Sequence, residues 1–407
     1  MTASTSFSTD SLPASSLAFP EFFPFTRPFL DEQTIADVGD CLRSGWITTG
    51  PRVQAFEAAL SAYHQAPHVI CVASATIGLQ IALVALDIQP GDEVITTSLT
   101  FVATINSILH AGATPVLVDI DPETLNIDLA AVEAAITPRT KAIMPVHFAG
   151  LPVDLDGFYA LAQRHNITII EDAAHASGAF YKGRPIGAMG DIQVLSFHPN
   201  KNMTTGEGGA ILLRDADLAA KIRQLAFHGI DRNAWNRFGK TGTQNYDVVL
   251  PGFKANMMDI QAAMGLRQLE KLDACVAIRK MLAETYMTAL ADNPYLRMVS
   301  LPSYEHTHGW HLMTVQVTDT APLTRDELMA HLKERNVGTG LHYQACHQHS
   351  YIAEKVKMDP AALGQSARVG AQILSLPLHP QMTKDDVHKV VRIINDVFNI
   401  AMEKAST

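Results

Sequence analysis

Ile192-Gln-Val-Leu-Ser196-Phe-His-Pro-Asn-Lys201-Asn-Met-Thr-Thr-Gly-Glu-Gly-Gly209 passes from an apolar strand, Ile192 to Leu195, into a turn that carries a lysine and closes on glycines. A lysine is ordinarily a solvated surface residue. Here the strand before Lys201 and the Gly-rich turn after it place the amine just past a strand end. A second apolar strand, Ile167 to Ile170, runs into Glu171-Asp172-Ala-Ala-His175. One sheet would therefore hold an amine and a carboxylate at its carboxyl edge, where ligands of such sheets bind. That pair suits pyridoxal phosphate (PLP). The lysine would hold the cofactor as an imine, and Asp172 would keep the pyridine nitrogen protonated.

Outward from these strands the pattern repeats. Val69–Val72 precedes a helix from Thr76, and Glu93–Thr96 precedes one from Phe101. Pro115–Val118 precedes a helix after Asp128, and Lys141–Val146 precedes one after Asp154. This alternation predicts an α/β fold with a mostly parallel central sheet covered on both faces. A long helix is expected from Asp259 to about Leu290. Beyond it, strands at Val315–Val317, Val337–His342 and Ile373–Leu376 and helices at Thr324–Arg335 and Thr383–Lys404 read as a smaller C-terminal α+β domain. The expected divisions are a disordered extension over 1–22, a large cofactor-binding domain over 23–270, and the connecting helix with the small domain over 271–407. The helix from Asp31 to Ser44 is expected to pack on the small domain.

Composition narrows the function. In 407 residues, 31 Lys+Arg stand against 41 Asp+Glu, a formal net charge of −10. That balance argues against a nucleic-acid-binding surface as the main business. Val69–Leu86 carries no charge, but Ser74, Thr76, Gly78 and Gln80 interrupt it, so it reads as strand, turn and buried helix and not as a membrane span. Cys41, Cys71, Cys275 and Cys346 are far apart without zinc spacing. They read as buried free thiols of a cytoplasmic protein, and no metal site is expected.

Other strand ends add candidates. Ser74-Ala75-Thr76 opens a helix whose backbone N–H groups would bind a phosphate, although Ser74 alone also reads as a helix cap. Phe101 would stack on the cofactor ring or pack in the core. Ser196 would add a hydroxyl to the phosphate, His198 would shape the site, and His175 would orient Asp172 or simply pack. Gly206-Glu-Gly-Gly209 reads as a tight turn that needs no ligand. Once released from the cofactor, Lys201 would move the reaction's proton.

Taken together and in order, these segments resemble the DegT/DnrJ-type sugar aminotransferases, PLP enzymes of aminotransferase fold type I. Further landmarks are Ser44-Gly-Trp-Ile-Thr-Thr-Gly-Pro51, Gly91-Asp-Glu-Val94, Gly252-Phe-Lys-Ala-Asn-Met257, Asp259-Ile-Gln-Ala-Ala263 and Gly338-Thr-Gly-Leu-His342. The resemblance spans about Phe23 to Val397. It implies that Lys201 is the Schiff-base lysine and Asp172 the pyridine partner. Ala75, Thr76 and Ser196 match phosphate contacts, and Phe101 matches the stacked aromatic. Asn256 matches a residue reaching the phosphate from a neighbouring subunit, so a homodimer with interfacial sites is implied. His342 and Tyr343 match the sugar pocket.

Within the family the chain resembles most the branch forming UDP-4-amino-4-deoxy-L-arabinose for lipid A modification. Phe101 and Ala255 depart from that branch's aromatics. The loop Asp231–Gln244, with Arg232, Arg237 and Lys240, differs too and would meet a nucleotide diphosphate or remain a solvated loop. The implied reaction moves an amino group from L-glutamate to the 4-keto carbon of a nucleotide-linked sugar, UDP foremost. The alternatives are another keto sugar or a cyclitol as acceptor, a sugar dehydratase, and a non-enzymatic regulatory relative. Lys201 in register argues against the dehydratases, where histidine replaces it.

Overall fold

The computed structural model describes residues 17–231, 246–356 and 358–405. Helices α1 (Glu32–Ser44) and α2 (Pro51–His64) precede the sheet. Then follow β1 (His68–Val72), α3 (Ala75–Ala85), β2 (Glu93–Thr97), α4 (Ala103–His110), β3 (Thr114–Val118), α5 (Leu129–Ala135), β4 (Thr140–Met144), α6 (Leu155–His165) and β5 (Thr168–Asp172). After the short strands β6 (Phe180–Tyr181) and β7 (Arg184–Pro185) come β8 (Ile192–Ser196), β9 (Gly209–Leu213) and α7 (Ala216–Leu225).

The seven long strands form one sheet in the order β1-β9-β8-β5-β4-β2-β3. The pairs from β8 through β3 are parallel, and β9 runs antiparallel to both its neighbours. The expected α/β alternation is therefore present, with each strand predicted before the long helix matched to within a few residues. Val72, Leu79, Ala82, Ile170, Val194 and Ile211 bury one face of the sheet under α3. Phe56, Leu60, Phe158, Leu195, Phe197 and Leu212 bury the other. Gly78 permits the close fit of α3, because a Cβ there would lie 2.8 Å from Val194 Cγ1. A large-to-small change in such a core typically costs about 2–5 kcal/mol.

The uncharged stretch after Val69 resolves into β1 and α3, and no helix among the described residues is long and apolar enough to cross a membrane. All four cysteines are buried and free.

Helix α8 (Asp259–Ala289) joins the two cores. Leu269, Leu272 and Val276 pack into the large core, whereas Leu282, Ala283 and Tyr286 belong to the small one. The packing thus changes hands between Val276 and Leu282, a turn or more beyond the expected division at residue 270. Beyond α8 lie β10 (Leu296–Met298), β11 (His306–Thr307), β12 (Met313–Val317), α9 (Arg325–Glu334), α10 (Ser350–Lys355), α11 (Gly364–Gln372), β13 (Ile373–Leu376) and α12 (Lys384–Ala405). β10, β12 and β13 form the small sheet.

Three expectations change. Val337–His342 makes only isolated bridges, Phe23 to Val337 and Gly340 to Ser375. Its backbone changes partner within a few residues, Gly338 N–H donating to Phe23 O at 2.8 Å and Gly340 N–H to Ser375 O at 2.9 Å, so no regular ladder forms. Helix α1 packs on the first half of α8 and not on the small domain, through Arg267–Asp37 and Lys271–Asp31 ion pairs. Order also begins upstream of Phe23. Phe19 is buried in the small core, stacks on Phe23 at 4.4 Å, and donates its N–H to Arg335 O. Residues 1–16 of the expected extension lie outside the described residues.

Candidate active site

The carboxyl ends of β1, β2, β4, β5 and β8 open into one cavity of about 380 Å³. Ser74, Ala75, Thr76, Phe101, Asp172, His175, Ser196, His198, Lys201, His342 and Tyr343 all line it. Residues as distant in sequence as Ser74 and Tyr343 thus meet because parallel strands deliver their ends to one edge.

At its base stands Asp172, the last residue of β5 and almost fully buried. Its Oδ2 accepts from Thr104 Oγ1 at 2.8 Å and its Oδ1 from Ala174 N–H at 3.2 Å. Burial pushes its pKa up, while these donors and the Lys201 charge oppose that rise. Strand alternation sends the preceding carboxylate to the other face. There Glu171 accepts from His147 Nε2, Tyr159 Oη and Gln193 Nε2 at 2.6–2.8 Å. Glu171 is thus a saturated structural group, whereas Asp172 keeps acceptor capacity toward the cavity.

Lys201 sits on the turn after β8, half-buried, and its Nζ has no hydrogen-bond partner among the described residues. Burial brings its pKa down to about 8, against the opposing pull of Asp172. The turn is pinned by Asn202, whose Nδ2 donates to Ser177 O at 3.0 Å and Gly309 O at 2.6 Å. Glycine is required at Gly209, where a Cβ would sit 2.7 Å from Ala75 N. That approach sets the α3 N-terminus beside Ser196. Ser74 caps the helix, accepting from Ile77 N–H at 3.3 Å, so the cap sits in the turn expected to receive a phosphate.

Imidazoles form the remaining wall. His342 Nδ1 lies 2.9 Å from Ser375 Oγ, and burial lowers its pKa to about 4. His175 and His311 lie with ring centres 4.4 Å apart and planes tilted by 49°, and burial depresses the pKa of both. Neutral rings beside Lys201 add no charge to stabilise or repel an ammonium.

One predicted role shifts, and the other candidates are placed as follows. His175 does not orient Asp172; its Nε2 lies 3.0 Å from Tyr343 Oη, and Thr104 and Ala174 hold the carboxylate instead. Phe101 is not a core residue: it is 57% exposed at the cavity mouth, 6.0 Å from the Tyr343 ring. His198 is exposed, with Nδ1 2.8 Å from Asn200 Oδ1. Asn256 does not line this chain's cavity. It donates to Thr49 Oγ1 and accepts from Lys254 Nζ. Arg232, with the rest of its loop over 232–245, lies outside the described residues. Sequence reasoning missed Thr104, because one threonine in the first turn of a helix reads as a cap.

The residues fit PLP. A helix N-terminus and a serine hydroxyl offer a phosphate site, Asp172 a base for a ring nitrogen, Lys201 an unpaired amine for an aldehyde, and Phe101 an exposed ring face. Comparison with known proteins agrees. The model of the DegT/DnrJ/EryC1/StrS aminotransferase family matches residues 28–395. Spr1654 of Streptococcus pneumoniae, solved in its PMP form, is 30% identical with a TM-score of 0.87, covering 95% of this chain and 100% of its own. Its PLP form is similar at 31% and 0.84, over 94% and 99%. DesV of S. venezuelae, in complex with a ketimine intermediate, is 35% identical at 0.82, over 93% and 99%. PseC of Helicobacter pylori, an aminotransferase of pseudoaminic acid biosynthesis, is 28% identical at 0.86, over 93% and 100%.

Proposed function

Because the chain belongs to the DegT/DnrJ/EryC1/StrS aminotransferase family, we propose that it transfers an amino group from L-glutamate to the 4-keto carbon of a nucleotide-linked sugar, UDP foremost. PLP-dependent transamination of a sugar is the family's chemistry, and pyridoxal phosphate is the cofactor. The observation that carries the reading is the unpaired, half-buried Lys201 amine facing buried Asp172 in the strand-end cavity.

Bound PLP supplies an electron sink for negative charge at the amino-acid Cα. The chain's own residues do the rest. Ala75 and Thr76 N–H groups and the Ser196 hydroxyl bind the phosphate. Asp172 holds a proton on the ring nitrogen. Phe101 covers one ring face and helps exclude water. Lys201 carries the cofactor at rest, and its freed amine moves a proton between the donor's Cα and the cofactor's C4′. Burial lowers that amine's pKa, which favours the neutral form that can accept a proton. His342 and Tyr343 form the sugar side of the cavity, with His198 at its rim. Glutamate leaves as 2-oxoglutarate, and the keto sugar leaves as an amino sugar.

The enzyme works as a homodimer in this reading. Asn256, turned away from its own cavity, reaches the partner's phosphate. Exposed Trp46, Ile47 and Met258 flank it, and the two segments are tied by Asp259 N–H to Thr48 O. Such an apolar patch suits burial by a second copy.

The test is a panel of UDP- and dTDP-linked 4-keto sugars, other keto sugars and a keto-cyclitol, each with L-glutamate, reading 2-oxoglutarate release. Turnover highest on a UDP-linked 4-keto sugar is expected. Turnover only on a free keto sugar or cyclitol would move the acceptor to that class.

A further inference from the structure

Thr104 spends its hydroxyl in an unusual direction for a helical threonine. Serine and threonine within a helix commonly bond back to the carbonyl four residues earlier. Ser107, one turn further along α4, does so, donating to Ala103 O at 2.7 Å. Thr104 instead reaches across to another element and meets Asp172 Oδ2 at 2.8 Å. Behind it, Thr100 Oγ1 lies 2.8 Å from Thr104 Oγ1. All three side chains are withdrawn from solvent, at 2%, 0% and 6% exposure for Thr100, Thr104 and Asp172.

The chemistry fixes the direction of this chain. A carboxylate only accepts, and each hydroxyl has a single proton to donate. Thr104 therefore donates to Asp172, and Thr100 donates to Thr104. Aligned hydroxyls polarise one another, so the last donor is stronger than an isolated one. The outer end is anchored as well: Cys346 Sγ donates to Thr100 O at 3.1 Å, and Cys346 N–H to Ser98 O at 2.8 Å.

We infer that Thr100 and Thr104 form a hydroxyl relay that positions Asp172 and keeps it a carboxylate toward the cofactor's ring nitrogen. The inference rests on the reading that Asp172 faces that nitrogen. A buried acid beside a pyridine has two arrangements, carboxylate with pyridinium or carboxylic acid with neutral pyridine. Burial alone favours the uncharged pair. A hydroxyl donating to the carboxyl stabilises the charged pair more than the uncharged one, and the charged pair is the one that withdraws electrons from the reacting carbon. Ala174 N–H occupies Oδ1, so together the two donors also fix the carboxylate plane. Thr104 is thus a positioning residue that acts through Asp172.

The test loads the protein with PLP labelled with ¹⁵N in the ring and records its nitrogen resonance at pH 7. Wild type, Thr104→Ser and Thr104→Val are compared. Valine keeps the shape and removes the hydroxyl, while serine keeps the hydroxyl. The expected result is a pyridinium signal in wild type and Thr104→Ser. In Thr104→Val the signal moves toward neutral pyridine and kcat falls about tenfold. Identical nitrogen signals in wild type and a folded, cofactor-loaded Thr104→Val overturn the relay alone. A wild type with neutral pyridine at pH 7 overturns it together with the assigned role of Asp172. Circular dichroism identifies variants that have not folded; for these, Thr100→Val, one link further from Asp172, gives the same comparison with a smaller expected shift.

Discussion

Lys201 and Arg279 are both cations drawn out of water, and their surroundings treat them in opposite ways. Arg279 lies on α8 where the two cores meet, 2% exposed. Its Nη1 donates to the carbonyls of Trp310, His311 and Leu378 at 3.3, 3.3 and 2.8 Å. Burial lowers its pKa only to about 10, so it stays charged. Lys201 has no such carbonyls, and burial brings it to about 8. A buried cation that is surrounded by acceptors fastens structure. One left without them gives up its proton more readily than an ordinary lysine and is free to react.

This contrast can be broken by exchanging losses. Lys201→Ala should carry the largest effect on chemistry, reducing transamination to background while the urea midpoint stays near wild type. A variant that turned over at the wild-type rate would sink the contrast. Arg279→Leu should do the reverse. Three carbonyls lose their donor, and stability should fall by about 3 kcal/mol in urea titration, with residual activity tracking the folded fraction. Unchanged stability would mean that water replaces the guanidinium. The pH profile should show the smallest effect. Lys201's pKa is depressed from its ordinary value, so the neutral, reactive amine accumulates as pH rises through about 8. Covalent capture of PLP by apoprotein should quicken about tenfold between pH 7 and 9 and then level off. A rate still climbing above pH 10 would place the amine in ordinary solvent.

Much of the fold was legible because parallel sheets leave a strong signature. Apolar runs such as Glu93–Thr97 and Ile192–Ser196 alternate with helices whose caps, Ser74, Asp128 and Asp154, are local signals. The cavity is legible for the same reason: β-strand ends are marked in sequence, and Asp172, Ser196, Ala75 and Lys201 all lie at or just past one. What failed was what depends on distant partners. The strand expected at Val337–His342 is shaped by residues near Phe25, over 300 positions away. Helix α1 reads equally well against either domain until Asp31 and Asp37 find Lys271 and Arg267. Sequence proximity pairs His175 with Asp172, yet its Nε2 lies 3.0 Å from Tyr343 Oη. Thr104 has no sequence mark, since only the fold reveals that its hydroxyl meets Asp172.

The most direct test of Lys201 as the cofactor-bearing amine is borohydride reduction of the PLP-loaded protein followed by peptide mass mapping. The reduced cofactor should be found on the peptide containing Lys201, and prior addition of L-glutamate should remove both that label and the visible absorption band. A label on another lysine, or an undiminished label in Lys201→Ala, would contradict the account.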